Sequence, residues 1–233
     1  MFTIHAEPAI TWQGPFSETM AAGLKAIGID CRVTRERDRI DEDLAILLGT
    51  TCWKNVERTE NYLLVDRCSF NDTNRYVSLV FNGHGRRGNH KVPENYDDSR
   101  WRMHGVPLHP WREGWKRVLC GQVSTYSPLW DNLEDWYATV PDATHFRPHP
   151  RGENPTGLPV ERTWTDVGQV VTLNSSVAID ALIQGVDAIV DDPGGMAYGW
   201  EDRLELMRWL AWTQWSHDEI REGKPIRHLF DGL

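Results

Sequence analysis

The segment from Val170 to Asp192 constrains the fold more than any other stretch of the chain. Val170-Val171-Thr172-Leu173 is a short apolar, β-branched run of the kind that suits a buried strand. Asn174-Ser175-Ser176 breaks it, Val177 to Gln184 reads as a helix, Gly185 stops that helix, and Asp187-Ala188-Ile189-Val190 reads as the next strand. Strand, polar turn, helix, glycine and strand in succession is the crossover unit of a parallel sheet. A helix that opens on such a turn leaves backbone N–H groups unpaired at its positive dipole end, a seat for an anion such as a phosphate. Arg147 and His149, in the run Phe146-Arg147-Pro148-His149-Pro150, close another expected strand. In a parallel sheet they emerge at the same carboxyl edge, where open α/β sheets take their ligands.

The alternation extends through most of the chain. Phe2 to Ala6 reads as a first strand. Ser17 is a candidate cap for a helix through Ile27, whose apolar stripe is Met20, Ala21, Leu24 and Ile27, and Gly28 ends it. Ile29–Thr34, Leu44–Leu48, Tyr62–Val65 and Tyr76–Phe81 read as further strands, with an exposed turn or short helix over Arg35–Asp43 and a short helix over Trp53–Glu60. Between Gly88 and Gly114 the order weakens around Pro93, Pro107 and Pro110, and a segment this long reads as a bridge. Beyond it come a strand and turn over Arg117–Gln122, a helix over Leu129–Val140 with Asp131 near its start, a strand over Thr144–Pro148, and helices over Glu201–Trp215 and His217–Phe230.

The chain has 233 residues, enough for one large domain or two small ones, and 40% of them are hydrophobic, enough for a sizeable core. The net charge of −9 argues against broad nucleic-acid affinity. Residues 81–117, however, hold eight Lys/Arg against four acids, so that strip is +4. It reads either as a contact for a polyanion or as a solvated loop. Four cysteines without a C-x-x-C pair fit neither a zinc site nor a disulfide framework, which points to a reducing cytoplasm. No apolar run approaches the ~20 residues of a membrane span. The start of the chain carries Glu7 and no basic cluster, so neither a secretory signal nor a membrane partner is expected. Twelve tryptophans serve as core fillers or as floors on which sugar rings stack.

The Arg-Pro-His-Pro strand end at 147–150, followed by the strand, Asn-Ser-Ser turn, helix, glycine and strand, resembles the GT-B glycosyltransferases that carry a His-Pro and a Ser motif: capsule Kdo transferases, some sialyltransferases and teichoic-acid polymerases. The runs Asp66-Arg67-Cys68-Ser69-Phe70 and Phe146–Pro150 also resemble small transferase-like proteins of bacteriophages and prophages, which would place the chain in a host cytoplasm. The resemblance covers roughly residues 116–215 and implies an α/β fold of two small Rossmann-like lobes facing across a cleft, a minimal GT-B arrangement. An N-terminal acceptor lobe over 1–110, with a basic loop at 82–114, would precede a C-terminal donor-nucleotide lobe over 111–233. It also implies metal-independent chemistry, no resident cofactor and a nucleotide-sugar co-substrate.

Such a transferase must grip a phosphate, stabilise it as it leaves and take a proton from an acceptor hydroxyl. Arg147, His149, Asn174, Ser175 and Ser176 are the candidates for the phosphate, with Gln122, Gly195, Met196 and Tyr198 as further donor contacts. Asn-Ser-Ser is equally a plain helix cap, and the glycine turn equally a plain turn. Asp66 is the first candidate general base because it directly follows an apolar strand, with Glu18 and His84 as runners-up. Arg86, Arg87 and Lys91 are the acceptor contacts if the acceptor is a hydroxymethylated base in duplex phage DNA; a surface glycan is the other acceptor class. A sugar-nucleotide epimerase or hydrolase, and a non-catalytic nucleotide-binding module, are the competing readings.

Overall fold

The structure is a computed structural model and describes residues 1–7, 9–35, 43–50, 52, 61–70, 75–122 and 129–230. The expected helix over Trp53–Glu60 lies outside these residues, as does the Arg35–Asp43 turn apart from its two ends. The chain forms two units. The first comprises Met1–Arg100 and Arg208–Leu233, the second Trp101–Met207. The expected boundary at 110/111 thus falls ten residues late. The expected assignment of the C-terminal helices to the second lobe differs as well, because the chain returns to the first unit at residue 208.

The first unit is built on a six-stranded sheet. Its strands are β1 (Phe2–His5), β2 (Cys31–Thr34), β3 (Leu44–Leu48), β4 (Tyr62–Arg67), β5 (Tyr76–Phe81) and β10 (Gln214–Ser216), in the order β10-β5-β4-β3-β1-β2. The pairs β1/β2, β1/β3 and β3/β4 are parallel. All five residues of β3 are buried, as in a strand covered on both faces, which is why its sequence is a continuous apolar run. Helix α1 (Gln13–Ala26) buries Phe16, Met20, Gly23 and Leu24 along one face against Ile4, Ile46 and Leu63. Gly23 is required there: a methyl group on it would meet the backbone of Ile220.

Three expectations for this unit are corrected. The helix begins at Gln13 rather than after Ser17, so Ser17 lies inside it with its hydroxyl donating to the Gly14 carbonyl at 2.7 Å. β5 is antiparallel to β4, and β10 antiparallel to β5, because strand direction depends on the connection and not on the strand's own residues. Gln214 and Trp215, expected at the end of a helix, belong with Ser216 to the edge strand β10: helix α5 (Arg203–Trp212) stops before it, since pairing with Tyr76–Ser78 outweighs local helical preference. The region that follows is two short helices, α6 (His217–Arg221) and α7 (Lys224–Leu229), separated at Gly223 by a left-handed residue (φ 72°). Ser216 and Glu219 form a complete capping box at the start of α6.

The second unit is a four-stranded, all-parallel sheet of β6 (Lys116–Cys120), β7 (His145–Arg147), β8 (Val167–Thr172) and β9 (Asp187–Val190), ordered β7-β6-β8-β9. Helix α3 (Leu133–Tyr137), shorter than the expected 129–140, is capped by Asn132, whose side chain accepts from the Asp135 N–H; Asp131 lies before the cap. Helix α4 (Val177–Ile183) crosses from β8 to β9, and Gly185 beyond it takes φ 77°. One core packs Leu119, Trp136, Phe146 and Val171, and the other packs Val118, Val170, Ala181 and Val186, so each face of the sheet is covered. A 3₁₀ turn (Gly85–Arg87) precedes the expected irregular bridge, and helix α2 (Ser99–His104) occupies part of it. Among the described residues no helix is long and apolar enough to cross a membrane.

Candidate functional site

Strand order places the site in the second unit. From β6 the chain goes to β7 on one side, then returns past β6 to β8 on the other. The connections therefore diverge at the carboxyl end of β6, and such a divergence leaves a crevice outside the strand ends. A pocket of about 530 Å³ occupies that position, bounded by Cys120 and Gly121 after β6, Arg147 to Pro150 after β7, and Ser175 to Val177 at the start of α4. The expected convergence of Arg147, His149, Ser175 and Ser176 is thus realised on one wall-to-wall cavity. Gly121 makes the approach possible, since a methyl group there would sit 2.6 Å from the Phe146 ring and 3.3 Å from the His149 backbone nitrogen.

Each of these side chains is oriented by a neighbour. The Arg147 guanidinium lies 4.3 Å over the Trp164 ring and donates to the Thr163 carbonyl at 3.0 Å, which holds a long side chain in one place. The His149 Nδ1 accepts from the Arg151 backbone N–H at 3.1 Å. In the neutral ring the proton is then on Nε2, so the imidazole presents a donor without being charged. Burial, and the positive charge of Arg151 after it, hold the His149 pKa below the usual histidine value. Ser176 occupies the position before α4 but makes no side-chain cap, whereas the Ser175 hydroxyl accepts from the Val177 N–H at 3.3 Å. Helix α4 has only seven residues, so the converging side chains, more than a helix dipole, give the pocket its character.

The charges around the pocket are uneven. Arg147, Arg162 and His149 line it, together with Asp180 and Glu161. Glu161 is buried and already matched: Lys116 Nζ donates to it at 2.7 Å, and the Thr163 N–H and hydroxyl donate at 2.7 Å each. Burial works to raise its pKa, and the Lys116 and Thr163 donors overcome that and bring it to about 2. The Cys120 thiol, pushed up to about 12 by burial despite nearby Arg147, is no nucleophile at neutral pH. Arg162, Asp180 and the Lys116–Glu161 pair were not singled out from sequence. Glu161 and Arg162 lie in a Pro- and Gly-rich loop, Asp180 on a short helix and Lys116 at the start of β6, where no periodicity marks a site.

The remaining donor candidates lie beside the pocket instead of lining it. Gln122 and Asn174 bond each other: Gln122 Nε2 donates to Asn174 Oδ1 at 2.8 Å, and Gln122 Oε1 accepts from the Asn174 N–H at 3.0 Å. Gly195 packs against this turn, where a methyl would come 2.5 Å from Val190 Cγ1 and 3.2 Å from Asn174 Cα. Met196 and Tyr198 follow it, outside the lining. Of the aspartate pair at the end of β9, Asp191 accepts from Trp136 Nε1 at 2.8 Å, and Asp192 is fully buried.

In the first unit, Asp66 is the penultimate residue of β4, one past its last pairing with the parallel β3 and paired with Ser78 of β5, and Arg67 completes the strand. The loop after β5 folds back so that His84 Nε2 lies 3.9 Å from Asp66 Oδ2, which brings two of the three expected acid–base candidates together. Burial raises the Asp66 pKa, opposed by the Arg67 N–H and by the charges of His84 and Arg67. Glu18 is elsewhere, exposed on α1 beside the ends of β1 and β2. Arg86 and Arg87 form the 3₁₀ turn, and Lys91 is exposed with φ 51°. His90 anchors this basic segment, its buried ring lying 3.1 Å from the Leu79 carbonyl and 3.0 Å from that of Gly85.

No protein-family model matches the sequence, and no curated protein matches it. Among solved structures, the chain is similar to the KpsC beta Kdo 2,7 transferase of Thermosulfurimonas dismutans, with a TM-score of 0.54 over 97% of this chain and 99% of that one. The sequences are 13% identical, so the likeness is one of fold. This chain has a glycosyltransferase-like α/β fold with two Rossmann-like lobes.

Proposed function

We propose that the chain is a glycosyltransferase that binds a nucleotide-activated sugar in the pocket of the second unit and moves the sugar to an acceptor hydroxyl. The carrying observation is the meeting of Arg147, His149 and Ser176 with Arg162 on one cavity at the switch point of a parallel sheet. The glycosyltransferase-like fold supports the same reading. In it, the two guanidiniums and the His149 Nε2–H bind the phosphate and stabilise the charge that develops as it leaves. The two guanidiniums supply the positive charge from the protein itself while His149 adds a neutral donor, and the reading needs no resident cofactor. Asp66, its proton affinity raised by burial and tuned by His84, takes the proton of the acceptor hydroxyl. The acceptor is a hydroxymethylated base in duplex DNA, held by Arg86, Arg87 and Lys91. A surface glycan is the second reading, favoured by the transferase likeness.

Calorimetric titration with UDP-, CMP-, CDP- and GDP-sugars tests the donor half. One of them is expected to bind, and His149→Ala is expected to weaken it about tenfold or more, the scale of a charge-assisted hydrogen bond. Binding of none, or equal binding by His149→Ala, would contradict the assignment. For the acceptor, replacing Arg86, Arg87 and Lys91 together by Ala should abolish transfer to modified duplex DNA and leave donor binding intact. Transfer only to glycans, unaffected by the triple substitution, identifies the second reading. Turnover of donor at the same rate without any acceptor would identify a hydrolase, and binding without any turnover a binding module.

A further inference from the structure

The carboxyl edge of the second sheet carries a chain of hydrogen bonds whose directions are fixed from both ends. Gln122 Oε1 accepts from the Asn174 backbone N–H at 3.0 Å and from the Thr172 hydroxyl at 3.3 Å. Its Nε2 must therefore face Asn174 Oδ1, to which it donates at 2.8 Å. That leaves Asn174 Nδ2 to donate, at 3.0 Å, to Asp192 Oδ2. Asp192 Oδ1 accepts the Gly194 N–H at 2.7 Å, and the Asp192 side chain is wholly inside the protein. The network joins the ends of β6, β8 and β9, and its middle member, Asn174, immediately precedes the two serines that wall the pocket.

We propose that Asp192 is a positioning residue for the phosphate seat: through Asn174 it sets the conformation of the Ser175–Ser176 turn, and through Gly194 it ties the neighbouring glycine turn to the same point. This rests on the reading of the pocket as the donor site. The physical reason is the donor–acceptor logic of a buried amide. An asparagine side chain has one accepting and one donating end, and in a water-poor setting a mismatched end loses its hydrogen bond without water to replace it. A carboxylate at 192 accepts twice, once from each turn, and so fixes which way Asn174 faces. A turn free to reverse its amide would no longer hold the Ser176 hydroxyl at one place, and a seat displaced by about an ångström loses much of its affinity.

The direction of the bond between 174 and 192 gives a stringent test. Asp192→Asn puts an NH2 group against the NH2 of Asn174. Asn174→Asp puts carboxylate against carboxylate. The double variant Asn174→Asp/Asp192→Asn restores the donor–acceptor match along this chain: Asp at 174 accepts from Gln122 and from 192, while Asn at 192 donates to 174 and accepts from Gly194. Wild type and the three variants are titrated calorimetrically with CMP, CDP, UDP and GDP, well below each melting temperature, so that loss of stability alone leaves the Kd unchanged. Each single variant is expected to bind the preferred nucleotide about tenfold more weakly, and the double to return to within about threefold of wild type. If Asn174→Asp does not fold, comparison of Asp192→Asn with the double variant decides. Single variants that bind like wild type, or a double no better than Asp192→Asn, overturn the positioning role while leaving the donor site standing. Failure of wild type to bind any nucleotide removes the donor site and this role with it.

Discussion

At the scale of single residues, protonation equilibria separate the two groups of chemistry-bearing side chains. His149 has a lowered pKa and a fixed Nε2–H, so at neutral pH it donates as a neutral ring. Asp66 is pushed the other way, and a carboxyl group with a raised pKa is a stronger base once it has lost its proton. The sign of the pH effect follows. Transfer should rise with pH as Asp66 deprotonates, with an acid limb above the ordinary aspartate value of 3.8. The charge of His84 lowers the Asp66 pKa, so His84→Gln should move that limb to higher pH. A profile of kcat/KM against pH checks this; a limb that stays where it is in His84→Gln would remove the pair from the chemistry. Glu161 acts on stability. Its pKa is depressed, so the Lys116 pairing is fully present above about 4.5 and is lost as the pH falls toward about 2. Lys116→Met leaves a buried carboxylate with its Thr163 donors but no counter-ion and should cost about 3 kcal/mol in urea unfolding at pH 7.

Elements were legible where local pattern and tertiary demand agree. The β8–α4–β9 unit follows its sequence closely apart from β8 starting three residues earlier, at Val167, because β-branched runs, a polar turn and a glycine at φ 77° all specify the same path. The arrangement of Arg147, His149, Ser175 and Ser176 could be anticipated for the same reason: residues at the ends of parallel strands must share an edge. Where pairing partners lie far apart in sequence, pattern says little. The direction of β5 and the existence of β10 depend on contacts between residues 76–78 and 214–216. Gln122 and Asn174 look like ligand contacts by position, and only the three-dimensional partners reveal that their amides are spent on each other. Gly23 is a similar case, since its role comes from Ile220 on another helix. Gly23→Ala forces α1 and α6 apart and should destabilise the protein by about 1–3 kcal/mol, read as a lower urea midpoint. An unchanged midpoint would show that the two helices can part at no cost.

For the molecule as a whole, the return of the chain to its first unit has a consequence for stability. Trp215, Ile220, Ile226 and Leu229 are all buried in the same core as Ile4 and Leu63. Each contributes on the order of 1.5–3 kcal/mol of burial, against a typical domain stability of about 5–15 kcal/mol. Ending the chain after Met207 should therefore unfold the first unit and leave the protein insoluble. A soluble, cooperatively unfolding 1–207 chain would mean that the core closes without them.

If the second unit's pocket seats the phosphate of a nucleotide sugar, a crystal structure of the chain with a non-transferable nucleotide-sugar analogue will show it there. Phosphate density is expected in the cavity bounded by Gly121, His149 and Ser176, with an oxygen within hydrogen-bond reach of His149 Nε2. Nucleotide density at another place on the chain, with this cavity holding only solvent, would contradict it.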